Sequence, residues 1–421
     1  MPAFSPRIRG HIDEALTFLK WVLYACNIGL IVGAVAVAFH YGIDWAAQFR
    51  AHQPWVILFL PLGGVVIVLL YWSGMERDRG TNLVLTAVRE AEPIRLRTAP
   101  LIFLSTILTH LVGGSAGREG AALQLGGSIG AWVGRKIHLD EKDRRIMVMC
   151  GMSAAFSGLF GTPITAAIFA MEVVSVGVMY YAAIVPCVVS SLVSVQLARF
   201  FGLHIGTGYL IGNVAVLGPW SMAQVCVMGV LCALLSILFC KVMHAAPKLY
   251  AKYFPNPLVR AAVGGALVLL LTLLVGEQTY NGAGDAVIRR MLAGETISEA
   301  FLLKLVFTAL TLGAGFRGGE IVPVLFTGAA FGTVVGPLLG LSQSFGGALG
   351  MTAVFCGATN CPITSILLAY ELFTSRGLPL YALCCAISYM LSGYYGLYSE
   401  QKIIYSKFRP EYIDKKANED E

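Results

Sequence analysis

The sequence predicts an all-α, multi-pass membrane protein made of two helical repeats whose broken helices meet at a central anion site. Three observations carry that expectation. The 421 residues are 57% hydrophobic and 13% charged, with a mean hydropathy of +0.73, whereas soluble domains carry about 25% charged residues. Many apolar windows are short and broken by glycine, below the roughly 20 residues that a straight span needs, as in half-helices that end inside a membrane. One sequence pattern also occurs twice, once in each half of the chain.

The apolar windows fall at 18–40, 55–72, 99–113, 121–134, 146–176, 179–201, 220–243, 259–276, 301–315, 321–341, 347–358, 362–373 and 378–396. Residues 1–17 read as an N-terminal arm carrying Arg7 and Arg9, and no small-residue cleavage site flanks the first apolar run, so no signal peptide is expected. After two spans comes Gly80-Thr81-Asn82-Leu83, a helix start with Thr81 or Asn82 available as N-cap.

The stretch Gly113-Gly114-Ser115-Ala116-Gly117-Arg118-Glu119-Gly120-Ala121 then places two full charges in an apolar run. Ionisable groups at membrane depth are costly and mark ion or proton paths. Neighbours on a helix point about 100° apart, so Arg118 and Glu119 are not expected to neutralise each other. The residues after Glu119 read as a helix, and a helix N-terminus with free N–H groups is an anion site. The stretch therefore predicts an anion site with a titratable carboxylate at its mouth.

Gly161-Thr162-Pro163-Ile164-Thr165 opens another helix, with proline in the first turn where its missing N–H costs nothing. Both this run and Cys361-Pro362-Ile363-Thr364 have Pro-Ile-Thr, with alanine seven and glutamate nine residues after the proline, at Glu172 and Glu371. The repeat reaches back to the charged stretch. Gly117 to Ala121 aligns with Gly319-Glu320-Ile321-Val322-Pro323 at an offset of 202, and glycines 126, 130 and 134 match 328, 332 and 336. That spacing lines one helix face with glycine, so a second helix can approach closely. Arg317 is expected to partner Glu320 from the same face, and Glu172 and Glu371 are expected to pack or cap at the membrane edge. Residues 246–257 read as a linker broken by Pro247, Pro255 and Pro257, residues 276–299 as polar and extramembranous, and residues 406–421 as a short charged tail without a regulatory domain.

Basic residues cluster in the arm, at Arg77 to Arg97, at Arg135 to Arg145 and in the tail. The positive-inside rule puts all four regions, and both termini, in the cytoplasm of a cell (inner) membrane protein. Clusters scattered between spans argue against nucleic-acid binding. The ten cysteines all lie in apolar windows without metal spacing and read as small hydrophobes; the seven histidines show no paired metal pattern. No metal and no cofactor is expected.

These residues resemble the CLC family of chloride channels and anion/proton antiporters over about residues 18–405. Gly117-Arg118-Glu119-Gly120-Ala121 is similar to its GREGP motif with alanine for proline. Gly319-Glu320-Ile321-Val322-Pro323 stands where the family has GxFxP, and Gly396-Leu397-Tyr398-Ser399 resembles the stretch that presents a tyrosine to the central anion. The resemblance implies a homodimer with one pore per subunit, each built from two inverted repeats, here at about 18–202 and 220–400.

Three departures resemble the fluoride/proton antiporter branch. Thr81-Asn82 replaces the GSGIP loop of chloride members, Val173 stands where exchangers carry a cytoplasm-side glutamate, and Glu320 lies inside the second motif. Val322 departs from that branch, where a threonine is expected. The resemblance implies Glu119 as gating carboxylate, Glu320 as a second proton-coupling carboxylate and Tyr398, Thr81 and Asn82 as anion contacts, joined by backbone N–H groups near Gly120, Ile321 and Val322. Arg118, Gly117 and Gly319 are assigned a structural part. The expected function is fluoride export in exchange for protons. The alternative in the same family is a chloride, other halide or nitrate transporter or channel. A remote alternative is an intramembrane serine protease, because Gly113-Gly114-Ser115-Ala116-Gly117 fits G-x-S-x-G with His110 nearby.

Overall fold

The computed structural model describes residues 6–72, 80–90, 94–203, 209, 211–373 and 375–419. Residues 74–79 of the first basic loop and the side chains of Arg7 and Arg9 lie outside the described residues. The first half contains α1 (Pro6–His52), α2 (Leu60–Trp72), α3 (Thr81–Glu90), α4 (Thr98–Val112), α5 (Glu119–Lys136), α6 (Glu141–Phe160), α7 (Pro163–Glu172) and α8 (Ile184–Phe200). The second contains α9 (Pro219–Tyr253), α10 (Pro257–Val275), α11 (Asp285–Leu292), α12 (Ala300–Gly313), α13 (Ile321–Leu338), α14 (Gln343–Thr359), α15 (Pro362–Phe373) and α16 (Leu378–Leu391).

Among the described residues six helical segments, including 10–52, 219–253 and 257–275, are long and apolar enough to cross a membrane, while α4, α7, α12, α15 and α16 are apolar but shorter. Leucines on the outer surface, such as Leu273 and Leu274 of α10, are exposed, whereas small hydroxyl residues turn inward. Ser194 donates to the Ala154 carbonyl and Ser157 to that of Ser191, tying α6 to α8, and Ser388 donates to the Ala353 carbonyl, tying α14 to α16. This apolar-out, small-polar-in arrangement is how helices associate in lipid.

The glycine stripes act as the spacing predicts. A Cβ at Gly126 would collide with the Gly151 carbonyl and one at Gly130 with that of Met147, where α5 lies on α6. In the second repeat, Gly328 and Gly332 meet the carbonyls of Gly350 and Gly346 in the same way, where α13 lies on α14. Such backbone contact leaves no room for any side chain, so the α5–α6 and α13–α14 hairpins are fixed by sequence at their closest points.

Two expectations need correction. Residues 246–257 are not a linker, because α9 continues to Tyr253 with Pro247 inside it. Proline removes one hydrogen bond, and a long helix packed along much of its length absorbs that loss. Residues 276–299 are not simply extramembranous polar chain, since Tyr280, Asn281, Ile288 and Met291 are buried. As the sequence predicts, the apolar window 146–176 is broken there: α6 ends on Gly161 at φ 73°, and Pro163 opens α7.

Glu172 and Glu371 do cap helices, and they do so across the repeats. Glu172 accepts the Ile363 and Thr364 N–H groups and the Thr364 hydroxyl at the start of α15. Glu371 accepts the Ile164 and Thr165 N–H groups at the start of α7. Reciprocal contacts of this kind are the mark of a two-fold relation. Among the described residues the fold is mostly helical, with one small sheet that joins the first repeat to the tail: β1 (Ser175–Val176) pairs parallel with β2 (Lys402–Tyr405), which pairs antiparallel with β3 (Tyr412–Lys416).

Candidate functional site at the junction of the repeats

The two repeat motifs meet backbone to backbone. Gly117 and Gly319 form an isolated antiparallel bridge, with N–H to carbonyl distances of 2.7 Å and 2.8 Å. A Cβ at Gly319 would stand 2.5 Å from the Gly120 nitrogen, so only glycine permits this approach. Helices α5 and α13 leave this junction, and their intrahelical ladders begin at Ala122 N–H to the Arg118 carbonyl and Val324 N–H to the Glu320 carbonyl. The N–H groups of Gly120, Ile321 and Val322 therefore precede the ladders and face the junction without intrahelical acceptors. Their positive ends suit an anion.

Glu119 is the first residue of α5 and is 1% exposed. Its carboxylate folds back on the helix start, where Oε2 accepts the Arg118 N–H at 2.9 Å and packs over Gly117. The carboxylate thus supplies negative charge where an anion would bind. Contrary to the expectation from helical spacing, Arg118 and Glu119 do pair, with Nε to Oε1 at 3.5 Å. The reason is that Arg118 is the N-cap, with φ −113°, and not part of the helix whose geometry separates neighbours. Its Nη1 donates to His40 Nδ1 of α1 at 2.9 Å.

Glu320 is the N-cap residue of α13, and its side chain makes no cap hydrogen bond. The residue is half-buried, while its Oε2 is shut away from solvent and has no protein partner. A Cβ at Gly120 would lie 3.4 Å from that Oε2 and 3.1 Å from Thr81 Oγ1, which places Glu320 and Thr81 together beside Gly120. Thr81 Oγ1 also contacts the Gly120 carbonyl at 3.4 Å. Arg317 does not share a helix face with Glu320, because α13 starts only at Ile321; its guanidinium lies over the Tyr71 ring at 4.2 Å. Val322 is buried in the first turn of α13.

Tyr398 is 2% exposed, its hydroxyl has no protein partner, and it stands within electrostatic reach of Glu320 and Glu119. Buried polar atoms are almost always hydrogen-bonded, so the orphaned Tyr398 hydroxyl and Glu320 oxygen each suit a polar ligand or water. The stretch that carries Tyr398 is held by Leu397 N–H on the Ala358 carbonyl and by Gln401, whose Nε2 donates to the carbonyls of Val173 and Thr359. Asn82 does not act toward its own helix here. Its Oδ1 accepts the Glu400 N–H at 3.1 Å, so it joins the start of α3 to the Tyr398 stretch.

Several contributors were not singled out from sequence. Lys304, fully buried in α12, donates to the Tyr280 and Gly282 carbonyls at 3.1 Å and 2.7 Å. Asn281 and Gly282 in turn bind the Gly113 and Gly114 carbonyls, so a cation clamps the loop that leads to Glu119. A lone lysine in an apolar window was the available signal. From Glu119 a cavity of about 330 Å³ opens past His40, Arg118, Asp285 and Arg289 toward the end of α1 remote from the N-terminus. The protease pattern has no matching geometry: Ser115 Oγ pairs with Thr308 Oγ1 at 3.1 Å, on the second repeat.

Broken helices from two related halves, with free helix starts and buried carboxylates between them, define a membrane anion transporter rather than an enzyme. Comparison with known proteins makes this specific. The chain belongs to the voltage-gated chloride channel (CLC) family, whose pattern it matches over residues 64–393. It is 35% identical over 396 residues to a chloride/fluoride channel protein of Pseudomonas syringae pv. tomato, covering 92% of this chain and 87% of that one. Among solved structures it is similar to a CLC-type fluoride/proton antiporter, with TM-score 0.87 and 34% identity over 91% of this chain and 98% of that one. A slow cyanobacterial Cl⁻/H⁺ antiporter shares the fold, with TM-score 0.75 and 17% identity over 89% and 94% of the two chains.

Proposed function

We propose that this protein exports fluoride in exchange for protons, with Glu119 as the gate. The observation that carries the reading is the Glu119 carboxylate folded onto the start of α5, beside the Gly117–Gly319 bridge. Ionised, it competes with an anion for that position; protonated, it no longer does, and this links anion passage to proton movement. Fluoride is small and strongly hydrated, so its site must replace water with dense hydrogen-bond donation. The N–H groups of Gly120, Ile321 and Val322, the Tyr398 and Thr81 hydroxyls and the Asn82 amide are the donors gathered around the junction. Glu320 is the second carboxylate of the proton path, and Arg118, Gly117 and Gly319 shape the site.

Support for fluoride over chloride comes from Thr81-Asn82, Val173 and Glu320 together, and from the relatives whose names include fluoride. The reading includes a homodimer with a complete pathway in each subunit, one transmembrane domain over about 18–405 and cytoplasmic termini. The basic clusters support that orientation, and Ile164 and Ile363, at equivalent places on α7 and α15, are exposed apolar residues available to a second copy.

The test is ion efflux from liposomes loaded with fluoride or chloride, read by ion-selective electrodes under a proton gradient. Fluoride efflux should exceed chloride efflux and move protons the opposite way, and Glu119→Gln should abolish coupling or transport. Chloride efflux as fast as fluoride efflux would assign the protein to the chloride-transporting reading, and unchanged coupled flux in the variant would remove Glu119 as the gate.

A further inference from the structure

We propose that Lys407, in the tail, is a positioning residue for Tyr398, whose ammonium ties the ends of α14 and α16 together and, through Asn360, holds the tyrosine stretch at the anion site. This rests on the fluoride/proton exchange reading, in which Tyr398 contacts the anion, and adds to it a residue that lies outside both repeats. Lys407 Nζ donates to three acceptors: Asn360 Oδ1, the Tyr389 carbonyl at 3.0 Å and Ser392 Oγ at 3.1 Å. It also lies 4.4 Å from the centre of the Tyr389 ring. Asn360 is the C-cap of α14 and Ser392 that of α16, while Tyr389 stands in the last turn of α16. A cation is favoured at helix C-termini, because their last carbonyls lack intrahelical donors and carry the negative end of the dipole.

An ammonium has three donors and no acceptor. Here all three are in use, so Lys407 has none left for an ion and acts through its neighbours. Because it can only donate, it fixes which way the Asn360 amide faces. The amide oxygen turns to Lys407, and Nδ2 donates to the Tyr395 carbonyl at 3.1 Å and to Gln401 Oε1 at 2.9 Å. Asn360 thereby grips the chain three residues before Tyr398 and three residues after it. Gln401 closes the turn, with its N–H on the Tyr398 carbonyl at 3.0 Å. Asn360 and Gln401 are both fully buried, where a polar group left without its partner is costly.

With an apolar side chain in place of Lys407, the Asn360 oxygen loses that donor, its amide is free to turn, and the grip on residues 395 and 401 slackens. The Tyr398 hydroxyl, which has no protein partner of its own, then moves from its place near the helix starts. Burial pushes the Lys407 ammonium down to about 7, so the latch is fully charged on the acid side of neutrality. The three acceptors around Nζ match that charged form, which alone supplies three N–H groups.

The experiment places a fluorotyrosine at position 398 and reads its fluorine NMR resonance in detergent, beside fluoride efflux from liposomes, both at about pH 6, where the ammonium is charged. Lys407→Met should shift and broaden the Tyr398 resonance, leave a label at Tyr280 unmoved, and slow efflux per folded molecule about tenfold, within the range that a small misplacement of a site group costs. Ser392→Ala removes one acceptor and keeps the cation. It should move the same resonance less and slow efflux about twofold, and it carries the test if Lys407→Met does not fold. An unshifted Tyr398 resonance overturns the inference, and so does a shifted resonance with efflux equal to the wild type. A shift at Tyr280 as large as that at Tyr398 also overturns it, since the lysine then supports the whole fold and not this stretch. If the wild type itself moves no fluoride, the exchange reading has failed instead, and the Tyr398 resonance alone decides whether Lys407 positions the tyrosine.

Discussion

The repeated motifs carry four glutamates at helix ends or starts, in two pairs of different character. Glu172 and Glu371 are equivalent in sequence and do equivalent work, each closing the N-terminus of the other repeat's helix with two backbone bonds. Glu119 and Glu320 are not equivalent. The motif alignment sets Glu320 against Arg118, so the second repeat carries a carboxylate where the first carries a guanidinium. Glu119 is bonded onto its own helix start, while an oxygen of Glu320 has no protein partner. Duplication is therefore retained where the halves brace each other and abandoned at the proposed anion site. A symmetric site would present the same group from both sides, and a gate needs one side to move against another that stays.

The sharpest way to break this comparison is at the point where symmetry is strict, the glycine bridge. Gly319→Ala puts a methyl 2.5 Å from the Gly120 nitrogen, and relieving such overpacking costs about 1–3 kcal/mol. Displacing the helix starts by a fraction of an ångström should then cut fluoride efflux by about a hundredfold, measured per folded protein after size exclusion. Near-normal efflux would mean that the junction does not set the site.

The next largest effect separates the two pairs. Glu320→Gln is expected to lower coupled flux by about tenfold, about 1.4 kcal/mol on the barrier, and to leave thermal stability nearly unchanged, because the partnerless oxygen gives up no protein bond. Glu172→Gln and Glu371→Gln should do the reverse. Each amide sets its own N–H against backbone donors and should cost about 1–2 kcal/mol in unfolding, with efflux per folded molecule unaltered. Glu172→Gln should cost more, since Glu172 also accepts the Thr364 hydroxyl and is the more buried. Equal stability losses from Glu320 and Glu172 variants would erase the distinction.

How much of this was legible in the sequence follows the range of the interaction. Glycine stripes, proline-opened helices and the paired motifs are local patterns at fixed spacing, and the helices, the α5–α6 and α13–α14 packing and the cap positions matched them. The capping of one repeat by the other was half legible: symmetry pointed to caps at Glu172 and Glu371, but nothing local says whose helix a carboxylate closes. Contacts between distant elements were missed altogether. Asn82 on Glu400, His40 on Arg118 and Lys304 on the 280–282 carbonyls each join residues that no periodicity relates. The Arg118–Glu119 pair was misread because one of the two residues lies outside the helix that the spacing rule describes.

The smallest predicted effect concerns the element that has no counterpart in the first repeat, the Tyr398 stretch and its tail. Glu400 carries its N–H to Asn82 and its carboxylate to Lys416 at 2.7 Å and Arg89 at 3.4 Å. The Lys416 hydrogen bond, followed by the charge of Lys416 and the contact with Arg89, holds the Glu400 carboxyl below its ordinary range. A carboxylate depressed in the folded state contributes stability above its unfolded pKa, near 4.3, and loses it as pH falls through the folded value. Acidification below about pH 4 should therefore loosen β3 from β2, read as faster hydrogen exchange at residues 412–416, and Glu400→Gln should produce the same loosening at neutral pH. The contact is partly exposed, so the effect should be below about 1 kcal/mol. If the tail carries the asymmetry of the site, Glu400→Gln should also lower fluoride efflux slightly while Glu371→Gln does not, since only the former lies on the path from the sheet to Asn82 and Tyr398.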